Sequence, residues 1–142
     1  MKRSECEEKG LLKRQQPSIT MADASIERAR ERLERAKKLL HASFEEESLT
    51  LVYSAMFHAG RALLFKDGWK ERSHYCLWVY VKETYGNLLS PGIVMEWDAL
   101  RQERHEIFYQ VSSTPPSKNT VKELIKVADT LIGETAVLLK ES

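Results

Sequence analysis

The sequence predicts an all-α protein, an antiparallel bundle of four to five helices. Five segments carry apolar residues at alternating spacings of three and four, the pattern of an amphipathic helix. Short connections separate the segments, and they contain the breakers Asp67-Gly68, Gly86 and Pro115-Pro116. No segment alternates with a period of two, so no strand is predicted. At 142 residues the chain has the size of one domain.

The first 18 residues are highly charged and contain one short apolar stretch, Leu11-Leu12. We expect residues 1–18 to form an arm or short helix that docks through these leucines, with terminal disorder as the alternative. Residues 19–142 are then the helical bundle domain.

The first two bundle helices are each expected to begin with a capping box, at Thr20 with Asp23 and at Ser43 with Glu46. The first runs from about residue 22 to 41. Its charged face is expected to be a solvated surface, with contact to RNA as the alternative.

The second bundle helix has apolar residues on almost every turn until it stops at Asp67-Gly68, which predicts that it is the central helix. Gly60 is expected to allow close approach of a neighbouring helix. His58 and Arg61 lie at the edge of the apolar sector. Both fit a structural role, and Arg61 is also a candidate ligand-binding residue.

Two serines are expected to open the next helices. Ser73 caps a third helix that ends near Tyr85, and Ser90, followed by a proline at the first helical position, caps the fourth. His74 on the third helix is a second candidate ligand-binding residue, with a structural role as the alternative. The last helix is expected over about residues 119–140.

The fourth helix carries the main clue to function. Its apolar positions form one stripe, and Arg104 interrupts that stripe at its centre; the apolar members are Ile93, Trp97, Leu100, Ile107 and Val111. An unpaired buried charge is costly, so Arg104 is predicted to face a polar cleft, a partner subunit or a carboxylate. Arg101, His105 and Tyr109 follow each other at intervals of four along the flank. The alternative is that these side chains snorkel at the edge of the core.

Composition excludes several classes of function. A formal net charge of +1 argues against a globally basic nucleic-acid binder, so an anion site must be local. Cys6 and Cys76 have no zinc-site spacing, and we expect free thiols in a reducing cytoplasm.

No apolar run is long enough to span a membrane. No phosphate-binding loop, zinc motif or nucleophile elbow occurs, so no cofactor and no metal are expected.

Metal-independent RNA cleavage is one chemistry that the cluster on the fourth helix could perform. It needs a base, an acid and cations that stabilise the phosphorane, and a histidine with arginines can supply much of this. A homodimer that pairs fourth helices would place two such sets in one cleft.

Four motifs in order resemble the HEPN domain family, most closely its small stand-alone members from archaea and bacteria. They are residues 53–64 (YSAMFHAGRALL), 67–68 (DG), 73–77 (SHYCL) and 101–109 (RQERHEIFY), and the stretch 6–12 is also similar. The resemblance implies a dimerising helical bundle. It implies either a metal-independent ribonuclease, often a toxin, or a binding partner of a minimal nucleotidyltransferase that acts as antitoxin.

The ribonuclease motif of the family carries over to Arg104 and His105, but its histidine position holds Tyr109. A phenol with a pKa near 10 is a poor general base at pH 7. Arg101 and His105 could substitute at a shorter spacing. By analogy with related toxins, Tyr109 is also the candidate for modification by the nucleotidyltransferase.

Three functions remain open at this point. The first is an RNA-cleaving toxin that uses Arg104, His105, Arg101 and Tyr109 as catalytic residues. The second, which we favour, is a dimeric module that binds a nucleotide or RNA and a minimal nucleotidyltransferase without cleavage. The third is a helical adaptor with no small-molecule site.

Overall fold

The computed structural model describes residues 1–109 and 114–141. For residues 107–109 it describes the backbone only. The described part is a helical bundle, which confirms the predicted all-α class. It contains six helices and two short strands: α1 (Arg3–Glu8), β1 (Leu12–Arg14), α2 (Ile19–His41), α3 (Glu45–Asp67), β2 (Trp69–Glu71), α4 (His74–Tyr85), α5 (Ile93–Tyr109) and α6 (Lys118–Lys140).

Helix α3 is the centre of the bundle, as its apolar residues predict. It packs against α2, α4, α5 and α6, and 12 of its 23 residues are buried. A Cβ atom added at Gly60 would overlap the indole of Trp97. The glycine therefore lets α5 approach α3 closely, and the predicted reason for Gly60 is confirmed.

Both predicted capping boxes are wrong. Helix α2 begins earlier, because the Ser18 hydroxyl accepts a hydrogen bond from the Met21 amide and so satisfies a free N–H of the first turn. Helix α3 begins at Glu45 after Phe44, with no side-chain cap. Ser43 instead has a φ of +66°, which places it in the turn between the two helices.

The predictions for the later helix ends agree better with the structure. Ser73 caps α4 through the Cys76 amide, and Gly68 ends α3 with a φ of +86°. Helix α5, however, begins at Ile93, not at the predicted proline, because Gly92 has a φ of +88°. The backbone and hydroxyl of Ser90 both bond the carboxylate of Glu134, so this serine ties the loop to α6 and does not cap α5.

The N-terminal segment is built into the fold. Strand β1 pairs antiparallel with β2, with Leu12 opposite Glu71 and Arg14 opposite Trp69. Leu12 is buried, as expected for a docking leucine, but the prediction that the chain contains no strand is wrong. Three residues are too few to display an alternating pattern, so the sequence could not indicate these strands.

Cys6 and Cys76 form a disulfide, with their Cα atoms 5.9 Å apart. The prediction of two free thiols is therefore wrong, and with it the argument from thiols to a reducing compartment. The bond joins α1 to α4 in the interior, where both cysteines are fully buried. Among the described residues, none of the helices combines the length and the apolar character that a membrane-spanning segment needs.

Candidate functional site

A groove of about 310 Å³ opens where α2, α3, α4 and α5 meet. We call it the Arg104 groove. Each helix contributes at least one polar or aromatic side chain to the lining, which includes Arg32, Tyr53, Phe57, His58, His74 and Arg104. The predicted polar cleft beside Arg104 is therefore present.

Arg104 lies partly buried at one side of this groove. Its guanidinium carbon is 5.0 Å from the centroid of the Tyr53 ring, a cation–π distance. None of the ion pairs among the described residues involves Arg104. The preceding members of its stripe, Ile93, Trp97 and Leu100, are buried as predicted. Two further predicted members lie outside the description: the side chain of Ile107 and all of Val111.

Tyr53 and His74 form the polar centre of the groove. The Tyr53 hydroxyl lies 2.8 Å from Nδ1 of His74. Burial raises the pKa of Tyr53 to about 12, although Arg104 and Arg101 act in the opposite direction, so the phenol is protonated at neutral pH. A phenol is a stronger acid than a neutral imidazole, and an imidazole nitrogen is a stronger base than a phenol oxygen. We therefore assign Tyr53 as the donor and Nδ1 as the acceptor, which leaves the proton of the neutral imidazole on Nε2.

The two histidines of the groove are neutral at pH 7. Burial, and after it the charges of Arg61, Arg28 and Arg32, lower the pKa of His58 to about 4. The pKa of His74 is lowered by partial burial and then by Arg104, Arg101 and Arg61. The positive charge of the groove therefore comes from its arginines.

Two neighbouring arginines already have carboxylate partners. Arg101 Nε lies 2.9 Å from an oxygen of Asp98, and its guanidinium covers the ring of Tyr75 at 5.0 Å. Arg61 Nε lies 2.6 Å from an oxygen of Glu71. Burial raises the pKa of that carboxyl group although Arg61 lowers it, which is the balance expected for a carboxylate with little access to water.

Arg61 lies outside the Arg104 groove. It lines an adjacent pocket of about 290 Å³, together with Arg28 and His58. His58 borders both cavities. Of the two predicted ligand-binding residues, His74 is therefore in the groove with Arg104, and Arg61 is in the neighbouring pocket.

Two of the four predicted catalytic residues, Arg101 and Arg104, lie close enough to His74 that both lower its pKa. Arg104 lines the groove, Arg101 packs on Tyr75, and His105 is exposed on α5. The side chain of Tyr109 lies outside the described residues.

Among the polar and aromatic lining residues named above, sequence reasoning missed Arg32, Tyr53 and Phe57. Tyr53 and Phe57 share the apolar spacing of the other α3 residues, and this spacing does not indicate that they border a groove. The signal for the arginine was its spacing of four from Arg28, which places both side chains along one face of α2.

The side chains of the groove suit a ligand that carries both a phosphate group and a planar ring. An unpaired guanidinium offers a fork of N–H donors that matches two phosphate oxygens. The Nε2–H of His74 is a further donor. Phe57 stacks on the His74 ring with centroids 4.3 Å apart, so flat aromatic surface lies beside the donors. No group of three potential metal ligands was found among the described residues.

By its fold and this groove, the protein belongs to the class of helical bundles in which arginines and aromatic side chains line a site between the helices. A family model of the HEPN domain matches residues 22–138, and this chain therefore belongs to the HEPN domain family. The match spans every bundle helix from α2 to α6 and includes all lining residues named above. A search among curated proteins gave no match.

Proposed function

We propose that the protein binds the phosphate of a nucleotide or of RNA in the Arg104 groove, as a binding module without cleavage activity. The observation that carries the proposal is the position of Arg104, which is partly buried against Tyr53 and has no carboxylate partner among the described residues. A cation held in this way favours an anionic ligand, because binding supplies the counter-charge that the fold does not.

The remaining groups fit the same ligand. The Nε2–H of His74 donates to a phosphate oxygen, and Arg32 adds positive charge on the opposite helix. Phe57 and His74 offer an aromatic surface on which a nucleobase can stack. Stacking of this kind does not depend on the identity of the base. Membership of the HEPN family, whose general function involves nucleotides and RNA, supports the assignment of such a ligand to the groove.

A homodimer and a minimal nucleotidyltransferase are the proposed protein partners, with Tyr109 as the residue that the enzyme modifies. This part of the proposal, including the role in a toxin–antitoxin pair, is supported by the resemblance of the motifs to stand-alone HEPN proteins.

Metal-independent cleavage of RNA is the second candidate function. One observation favours it: the imidazole of His58 is neutral at pH 7 and close to arginines, so it can accept a proton. Cleavage also needs an acid that protonates the leaving oxygen. A neutral imidazole is not that acid, and His105 lies exposed on α5, which is why binding is the favoured function.

Binding and cleavage are separated by one pair of assays. Fluorescence anisotropy with a fluorescein-labelled single-stranded RNA measures affinity, and gel analysis of the same RNA in EDTA at pH 6–8 measures cleavage. We expect binding without cleavage, and weaker binding by His74→Ala. Cleavage that is lost in His105→Ala would establish the ribonuclease function instead. Absence of RNA and nucleotide binding would leave only a helical adaptor.

The nucleotidyltransferase partner has its own test. If a short nucleotidyltransferase gene lies next to this one, we expect the two proteins to copurify. Incubation with a nucleoside triphosphate is then expected to add the mass of one or more nucleotides to the chain, and not to Tyr109→Phe. An unchanged mass in the wild type would remove modification from the proposal.

A further inference from the structure

A second and larger groove, of about 630 Å³, lies at the end of the bundle where α2 ends and α6 begins. We call it the lysine groove. Its floor contains Leu40 and Ile125, and His41 lies at its edge. Four exposed lysines line it: Lys37, Lys118, Lys122 and Lys126.

The charge of this groove is only partly balanced within the chain. Lys37 pairs with Glu34, and Lys126 pairs with Glu123, each one turn away on its own helix. Lys118 and Lys122 take part in none of the ion pairs of the described residues. None of the described lining residues is acidic.

An apolar floor with a cationic rim suits an acidic protein segment that carries one large apolar side chain. Nucleic acid fits this groove less well, because unpaired bases are held by aromatic faces and the described lining contains no phenylalanine, tyrosine or tryptophan. The groove shares no lining residue with the Arg104 groove.

The chain itself presents such a segment. Phe44 is 51 % exposed, and three glutamates follow it in the first turn of α3 (Glu45, Glu46 and Glu47). Only two residues separate Phe44 from His41 of the lysine groove, so segment and groove lie at the same end of the bundle. Two complementary patches side by side on one surface are what a two-fold interface between identical chains requires.

We propose that two copies of this chain associate through this end of the bundle, with Phe44 of each copy in the lysine groove of the other. The glutamates of one copy then face the lysines of the other, and the exposed ring of Phe44 is buried. This association uses no residue of the Arg104 groove. It is independent of the proposed nucleotide binding and of a pairing through α5.

Charge reversal and sedimentation test this interface. Lys118→Glu with Lys122→Glu in one variant, and Glu46→Lys with Glu47→Lys in another, are each expected to halve the assembly mass. An equimolar mixture of the two variants should recover it, because opposite charges then face each other again. Lys140→Glu is the matched control, since Lys140 is exposed on the same helix and outside the groove; its mass should equal that of the wild type.

Circular dichroism of each variant verifies that the helices are intact. Phe44→Ser, which changes no charge, should raise the dissociation constant at least about tenfold, the loss expected for one buried aromatic anchor. A wild type that is monomeric at 100 µM would overturn the proposal. Masses unaffected by both charge reversals, or a mixture that fails to recover the wild-type mass, would overturn it as well. RNA binding is measured on the same variants and should be unchanged, so this result is read separately from the function of the Arg104 groove.

Discussion

The Tyr53 hydroxyl lies 2.8 Å from Nδ1 of His74, and with the hydroxyl assigned as the donor this contact fixes what His74 can offer a ligand. With Nδ1 occupied, the neutral imidazole presents Nε2–H. The arrangement turns His74 into a hydrogen-bond donor beside Arg104 and removes its usual capacity to accept a proton at Nε2. It favours phosphate binding over general-base catalysis at this residue.

Tyr53→Phe is predicted to weaken RNA binding without disturbing the bundle. The ring that supports Arg104 is kept, but His74 loses the partner that sets its tautomer. We expect a loss of about 1 kcal/mol, or fivefold in affinity, in fluorescence anisotropy. The control is Tyr75→Phe, which also loses a hydroxyl beneath a neighbouring arginine but should bind as the wild type does. Equal affinities for Tyr53→Phe and the wild type would show that the hydrogen bond has no part in binding.

His58 is predicted to make the fold sensitive to acid. Its pKa is about 4 in the folded protein and about 6.5 in the unfolded chain, so between these values the unfolded chain binds more protons. Stability from this group is complete above pH 6.5 and is lost as the pH falls towards 4. Because the ring is only partly buried, we expect the free energy of unfolding to fall by about 1–2 kcal/mol over this pH interval.

Comparison of the wild type with His58→Gln by urea unfolding at pH 7 and pH 4.5 isolates this effect from other titrating groups. The wild type should lose more stability than the variant over this interval. A loss of the same size in both proteins would assign the acid sensitivity to other residues.

Gly60→Ala is predicted to destabilise the bundle by about 1–3 kcal/mol, because the added methyl group overlaps the indole of Trp97. Gly133→Ala on α6 is the matched control. Gly133 is exposed and an added Cβ meets no atom within 4 Å, so alanine should stabilise its helix by about 0.5–1 kcal/mol. Thermal unfolding measures both, and effects of the same sign would contradict the packing described here.

Reduction of the disulfide is predicted to lower the free energy of unfolding by about 2–4 kcal/mol, since the bond between Cys6 and Cys76 closes a long loop in the unfolded chain. Dithiothreitol should lower the melting temperature of the wild type. It should have no effect on a variant with both cysteines replaced by alanine. A wild-type melting temperature that does not respond to the reductant would mean that the bond contributes nothing to stability.

The helices and the position of Arg104 could be predicted from the sequence, because helical periodicity is a local property. Trp97 and Leu100 are buried where the pattern places them, and the charged interruption at Arg104 does border a cleft. The helix starts were predicted less well. Ser18 and Thr20 are both capping residues by type, and only the packing of the preceding segment decides between them.

The rest depends on contacts between distant parts of the chain. Cys6 and Cys76 are 70 residues apart, and no spacing rule pairs two such cysteines. Tyr53 meets Arg104 across 51 positions, and an aromatic residue in an apolar helix has the same pattern whether it fills the core or forms the wall of a groove. Neither pairing could be predicted before the helices were assembled.

Arg104→Gln gives the most direct test of the account, with the salt dependence of RNA affinity as the measurement. Arg35→Gln on α2 is the matched control, because Arg35 is exposed and already paired with Glu31. If Arg104 holds a phosphate, its variant should bind RNA at least about tenfold more weakly, and the slope of log affinity against log salt should fall by about 0.7. An Arg104→Gln protein with the affinity and slope of the Arg35→Gln control would contradict the assignment of the groove.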